Sequence, residues 1–287
     1  MPPILTFARL TIWEAARRRL LLALVLLTLA IIVATSFGFS RLWSVTGSGG
    51  GPPSAVEVHL IASQLLILVA FMFAAVLALS SVMVAAPSIS TEIESGLLLS
   101  MLARPVRRFD VAAGKWLGLA VLVVCYAAGA GVLELVGVWL TTGYMPPDPV
   151  MLIVYIASEG LVMLTLGLLF STRMAAMTAG IVALVLYLVA WIGGIVGGLG
   201  QALNNDALIY TGLGSKLLVP TDVLWRGAVY AMEPASVVAS VRAVGPVGAS
   251  SPFSAADPPP IGLLVWAVIW VLAILALTWL SFRRREV

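Results

Sequence analysis

The chain has 287 residues, of which 61% are hydrophobic and only 10% charged, and its mean hydropathy is +1.10. A soluble domain carries about 25% charged residues, so a water-soluble globular fold is excluded. Net charge is +3, but the basic residues gather at the ends of apolar runs, which argues against nucleic acid as a partner.

Residues 1–19 read as an interfacial helix. Ile4, Leu5, Ala8, Ile12 and Ala15 make an apolar stripe, Arg9, Glu14 and Arg17 lie largely off it, and Trp13 with Arg17, Arg18 and Arg19 supplies the anchor. A disordered basic tail is the alternative. The apolar run that follows is too long for a cleavable signal peptide and reads as a first span, 20–39. Residues 40–60 form a Gly/Pro-rich loop ending at His59, and with no second histidine a transition-metal site is not expected. A second span covers 61–86.

The stretch 88–104 differs from a plain connector. Thr91 and Glu94 have capping-box spacing, so a helix is expected to start there, with Glu92 and Glu94 in its first turn. Ile93, Leu97, Leu98, Met101 and Leu102 share one face, while Glu92, Ser95, Gly96 and Ser100 lie opposite, so Glu92 is expected to face the cytosol. Pro105 ends the element. Such a helix docks a partner, or it merely joins two spans with its glutamates as caps.

A third span covers 114–140 and contains the single cysteine, Cys125, read as a small packing residue. The Pro-rich turn 141–149 makes a hairpin with the fourth span, 150–170, and a short connector at Ser171, Thr172 and Arg173 leads to the fifth, 174–199. Gly193, Gly194, Gly197 and Gly198 form overlapping GxxxG patterns that permit close helix approach and also allow a local break. Residues 200–260 are too polar to cross and too apolar for a free linker. Short interfacial or re-entrant helices are expected, then a disordered-leaning stretch up to Pro260. The sixth span is 261–281. The fold class is thus an all-α polytopic membrane protein with six transmembrane helices.

Twelve of the 16 basic residues fall on the side of the N-terminus, and Arg41, Lys216, Arg226 and Arg242 on the other. The positive-inside rule puts both termini and the 88–104 helix in the cytoplasm of a plasma-membrane protein. Glu134 and Glu159 are costly inside lipid, roughly 9 and 14 Å below the ends of their spans. Each reads either as a hydrogen-bonding or cation-attracting site on a pathway, or as a protonated or hydrogen-bonded carboxyl packed on a neighbouring helix.

No GxxxxGK[ST] phosphate loop occurs, and no catalytic constellation or cofactor site is expected. The segment Glu92-Ile-Glu94-Ser-Gly96, then Ala103-Arg-Pro105-Val-Arg107-Arg108, then Gly114-Lys115, resembles the pattern of ABC-2 type transporter permeases. Pro220-Thr-Asp222-Val-Leu-Trp225-Arg226 and the N-terminal Arg9…Glu14-Ala-Ala-Arg17 cluster do so too. The resemblance implies a non-catalytic, exporting permease that pairs with a second permease, identical or paralogous, and with two copies of a separate ABC ATPase. It implies that 88–104 is the coupling helix, and it assigns ATPase coupling to Glu92, Glu94, Gly96, Pro105, Arg107 and Lys115. The rival readings are an ion- or proton-coupled carrier using Glu134 and Glu159, and a mechanotransmission subunit acting on an external partner.

Overall fold

A computed structural model describes residues 3–16, 19–47, 49–94 and 107–283. The described residues are helical with no strand. α1 (Pro3–Ala16) is followed by α2 (Arg19–Ser40), a 3-10 turn (Arg41–Ser44), α3 (Ala55–Glu94) and α4 (Arg108–Thr142). Then come α5 (Pro149–Ser171), α6 (Ala176–Ala202), α7 (Asp206–Leu218), α8 (Thr221–Met232), α9 (Ala235–Val244), α10 (Pro246–Ala249) and α11 (Ile261–Arg283). Six of these, α2 to α6 and α11, are long and apolar enough to cross a membrane. The protein is therefore a multi-pass membrane protein.

Helix ends follow local chemistry. Asp148 caps α5 by accepting from the Met151 amide at 3.2 Å, with Pro149 at the first helical position. Gly143 closes α4 with φ +74°, its N–H on the Trp139 carbonyl at 2.9 Å. These residues make the predicted hairpin between the third and fourth spans.

α5 is the centre. Buried residues make up 67% of its most apolar window, against 11% for α2 and 17% for α11. α3, α4, α6, α8 and α11 all pack around α5. α2 and α11 stand at the rim of the bundle, with most of their apolar surface uncovered.

α3 is longer than the second span drawn from sequence. Its 40 residues reach roughly 60 Å, twice the thickness of the hydrocarbon layer. It runs through Pro87, where Ser88, Ser90 and Thr91 hydroxyls bond carbonyls three or four residues back. Thr91 donates to the Pro87 carbonyl, so it lies inside a continuous helix and does not start a new one. The rest of the predicted 88–104 helix, with Gly96 and Pro105, falls outside the described residues, as do Arg17 and Arg18.

The first and last described helices, α1 and α11, begin and end respectively at one end of the bundle. α1 packs on the first turns of α4, where Gly114 and Gly118 admit it. A Cβ on Gly114 would stand 2.5 Å from the Phe7 Cβ and one on Gly118 2.6 Å from the Ala8 carbonyl. Ala8 and Ala15 of the predicted stripe are buried, whereas Leu5 is exposed. Arg108 donates to the Phe282 carbonyl at 3.0 Å and Arg173 to the Ser281 hydroxyl at 2.8 Å. Two cations thus serve the C-terminal end of α11, as its dipole favours.

At the opposite end, residues 203–260 build a cap. α6 is continuous through its glycines, without the break that their number allowed. They bring α7 to backbone contact: a Cβ on Gly197 would lie 2.9 Å from the Gly212 Cα, and one on Gly200 2.6 Å from the Ile209 nitrogen. α7 runs back along α6, bends at Val219 and Pro220, and α8 returns, buried on nearly every side. The final carbonyls of α7, Leu217 and Leu218, accept from Trp266 at 3.1 Å and Trp270 at 2.8 Å, both on α11. These indoles supply donors to carbonyls that a helix end leaves without intrahelical partners.

The stretch after α10 leaned toward disorder in sequence, yet it is tied down. Pro252 accepts from the Trp225 indole at 2.7 Å, and the Ala255 amide donates to Glu233 at 3.2 Å. The Asp257 carboxylate pairs with Arg242 at 2.8 Å. Cys125, expected to be packed, is exposed on the bundle surface.

Candidate functional site

Among the described residues, the charged residues singled out in sequence fall into three groups of polar side chains. The first joins α3 and α4 at the end that carries the termini. Lys115 Nζ lies 2.5 Å from a Glu92 carboxylate oxygen and also donates to the Ser88 carbonyl. Both side chains are largely withdrawn from solvent, at 7% and 16% exposure. Glu92 therefore turns inward onto α4, not outward as the helical wheel of an isolated surface helix suggested. The pair sits where the chain leaves α3 and just after it re-enters as α4. Arg107 is the N-cap of α4, and its carbonyl accepts from the Asp110 amide at 2.9 Å. Glu94 is the last residue of α3.

The second group lies where α7 bends into α8. Asp222 is 2% exposed, in the first turn of α8, where the helix dipole favours its charge. Arg226 Nε stands 3.2 Å and Lys216 Nζ 3.5 Å from its Oδ2. Arg226 also donates to the Gly194 carbonyl at 3.2 Å. Gly194 has no side chain because the Asp222 carboxylate occupies that space; any Cβ there would overlap it. Trp225 and the bend residue Pro220 complete the motif seen in sequence. Trp225 is buried against Phe71 as well as bonded to Pro252. Glu159 of α5 is 2% exposed, bonds with the Tyr187 hydroxyl on α6 and lies in the field of Asp222.

The third group is the α2–α4 seam. Thr35 donates to Glu134 Oε2 at 3.1 Å, and two turns away Thr28 bonds with the Tyr126 hydroxyl. Glu134 lines a cavity of about 190 Å³ between α2, α3, α4 and α5. Glu134 and Glu159 thus serve different seams and are not brought together.

The cap holds a further carboxyl that sequence reading passed over. Glu233 is 2% exposed, and burial pushes its pKa up to about 7 despite the Ala255 amide. Beside it Tyr144 is buried, and its hydroxyl donates to the Met232 carbonyl at 2.5 Å. Burial first, and then the Glu233 charge, raise the Tyr144 pKa. His59 tilts over the Tyr144 ring, with centroids 5.8 Å apart. Lys216 and Tyr187 were also missed. The available signal was that Tyr187 is the one polar side chain within its otherwise apolar turn, and that Lys216 is a lone cation in a largely apolar helix.

No curated protein matches the chain. A family model described as ABC-2 family transporter protein matches residues 82–287, which takes in the Glu92–Lys115 pair, Glu134, Glu159 and the Asp222 motif. Members of that family are membrane subunits that associate with an ABC ATPase. The chain belongs to the ABC-2 transporter family and is the membrane-embedded permease of an ABC transporter.

Proposed function

We propose that this permease is the exporting half of an ATP-driven pump. Both termini face the cytoplasm, it works with a second permease subunit, and it receives the ATPase stroke through the segment 88–104. The observation that carries this reading is the Glu92–Lys115 pair. It ties the two helices that flank the segment, with Lys115 also held by Ser88 on α3. A buried ion pair resists separation, because either charge alone is costly away from water. Force delivered to residues 95–106 therefore reaches α3 and α4 together, and α3 and α4 both pack on the central α5. In this account Glu92 and Lys115 position the segment, and Glu94, Gly96, Pro105 and Arg107 belong to the docking element itself. A second permease finds room on the sparsely covered α2 and α11.

The discriminating experiment is co-reconstitution with the ABC ATPase of the same source. Export from proteoliposomes should stop with vanadate and persist when a protonophore collapses the gradient. Export that survives vanadate and dies with the protonophore would favour a proton-coupled carrier instead.

A further inference from the structure

The cavity at the α2–α4 seam has a chemistry that limits what it holds. Its volume is about 190 Å³, and its wall is apolar apart from Thr28, Thr35 and Glu134. A cavity of about 150 Å³ lined by Leu, Ile and Phe takes a benzene ring, so this one has room for a ring or a short alkyl body with an arm. Glu134 is the one ionisable group among the residues that line it.

The hydrogen bonding there is short of donors. The Thr35 hydroxyl has one proton and three acceptors in reach: the Ile31 and Ile32 carbonyls, each at 3.0 Å, and Glu134 Oε2 at 3.1 Å. Thr28 lies within bonding distance of both the Leu24 carbonyl and the Tyr126 hydroxyl. Glu134 Oε1 is buried and accepts no hydrogen bond among the described residues. None of the ion pairs among the described residues involves Glu134. Lys216 and Arg226 are committed to Asp222, on α7 and α8. A buried carboxyl without its donors is costly, and an added group that brings donors and positive charge removes that cost.

We infer that this cavity is a binding site for an apolar amine: a small aromatic or alkyl body lodged among Leu27, Ile31, Phe73 and Ile153, with its ammonium on the Glu134 carboxylate. The inference deepens the permease reading by naming a ligand class, and it rests on that reading for its link to transport. Binding itself does not need the ATPase.

The test is fluorine NMR on the purified full chain in nanodiscs of zwitterionic lipid, without ATPase or nucleotide. A failure here is thus distinct from a failure of ATP-driven export. The probes are para-fluorobenzylammonium, para-fluorobenzyl alcohol and para-fluorotoluene. The ammonium should bind saturably and about tenfold or more tightly than the alcohol, as a charge-assisted contact requires. Glu134→Gln keeps shape and fold, should retain binding of the alcohol and should lose the preference for the ammonium. Ala130→Leu, which fills the wall, should weaken all three probes. The inference is overturned if the ammonium binds wild type and Glu134→Gln alike, if it shows no saturable binding, or if the toluene binds as tightly. The last result would identify a pocket for acyl chains.

Discussion

The α6–α7–α8 hairpin and the α2–α4 seam both carry carboxylates within an apolar bundle, and they treat them in opposite ways. At the hairpin, glycines bring the backbones into contact, and Asp222 fills the space that Gly194 vacates, between two cations. At the seam, Glu134 faces a cavity and shares one threonine proton. A buried carboxylate that is held by two cations through one oxygen, and wedged against a glycine backbone, is part of the fold. A buried carboxyl beside empty, donor-poor space is available to a ligand. Sequence depth alone did not separate the two, since Glu134 and Glu159 looked alike and Asp222 sat in what read as a loop.

The contrast is most easily broken at the hairpin. Asp222→Ala leaves Lys216 and Arg226 without their carboxylate, and losses of this kind are about 3–5 kcal/mol. Loss of folded, monodisperse protein in gel filtration is expected, and Gly194→Val should act the same way. If Asp222→Ala melts like wild type, the triad is not structural.

A somewhat smaller loss is expected at the end that carries the termini. Glu92→Ala strands a buried ammonium, so thermal stability in detergent should fall, whereas a freely exposed cap would have left it intact. The double variant Glu92→Ala/Lys115→Met removes both charges and should recover much of the loss. Equal melting temperatures for the single and double variants would contradict the pairing.

The cap offers a pH test with a definite sign. Glu233 binds its proton more tightly in the folded protein than in the unfolded chain, since its pKa rises from 4.5 to about 7. Between those values the folded state holds more protons, so stability falls as pH rises through that window. Below 4.5 the contribution is fully present, and above about 7 it is gone. Melting of wild type should drop across that range, and Glu233→Gln should flatten the drop.

The smallest effect belongs to the seam. Glu134→Gln should change stability by no more than about 1 kcal/mol, the scale of one modest hydrogen bond. A large loss there would make Glu134 another enclosed structural carboxyl and erase the contrast with Asp222.

Much of the architecture was legible because lipid forces it. Long apolar runs must be helices, the Pro-rich turn at 141–149 can only reverse the chain, and the overlapping GxxxG pattern marks a close helix approach, although it left a local break open. Partnership was harder to see. The Glu92–Lys115 pair spans 23 residues of sequence, and nothing local tells a helix wheel that α4 covers the polar side of α3. Thr91 has the spacing of a cap, but the helix preceding it does not stop at Pro87. The disordered-leaning tail of the cap is ordered by contacts from residues far back in the chain, Trp225 and Glu233. The Asp222 motif resembles the family pattern in sequence, yet its reason, a glycine on another helix, is visible only in three dimensions.

The central claim is that an ABC ATPase drives this permease from the end bearing the termini. A photo-crosslinking residue at Ser95 or Ser100, with Ser251 in the opposite cap as the control, tests it in membranes that also hold the ABC ATPase of the same source. The account predicts crosslinks to the ATPase from Ser95 and Ser100 that change on adding ATP, and none from Ser251. Crosslinks from Ser251, or none from either position in 95–106 in an assembled complex, would contradict it.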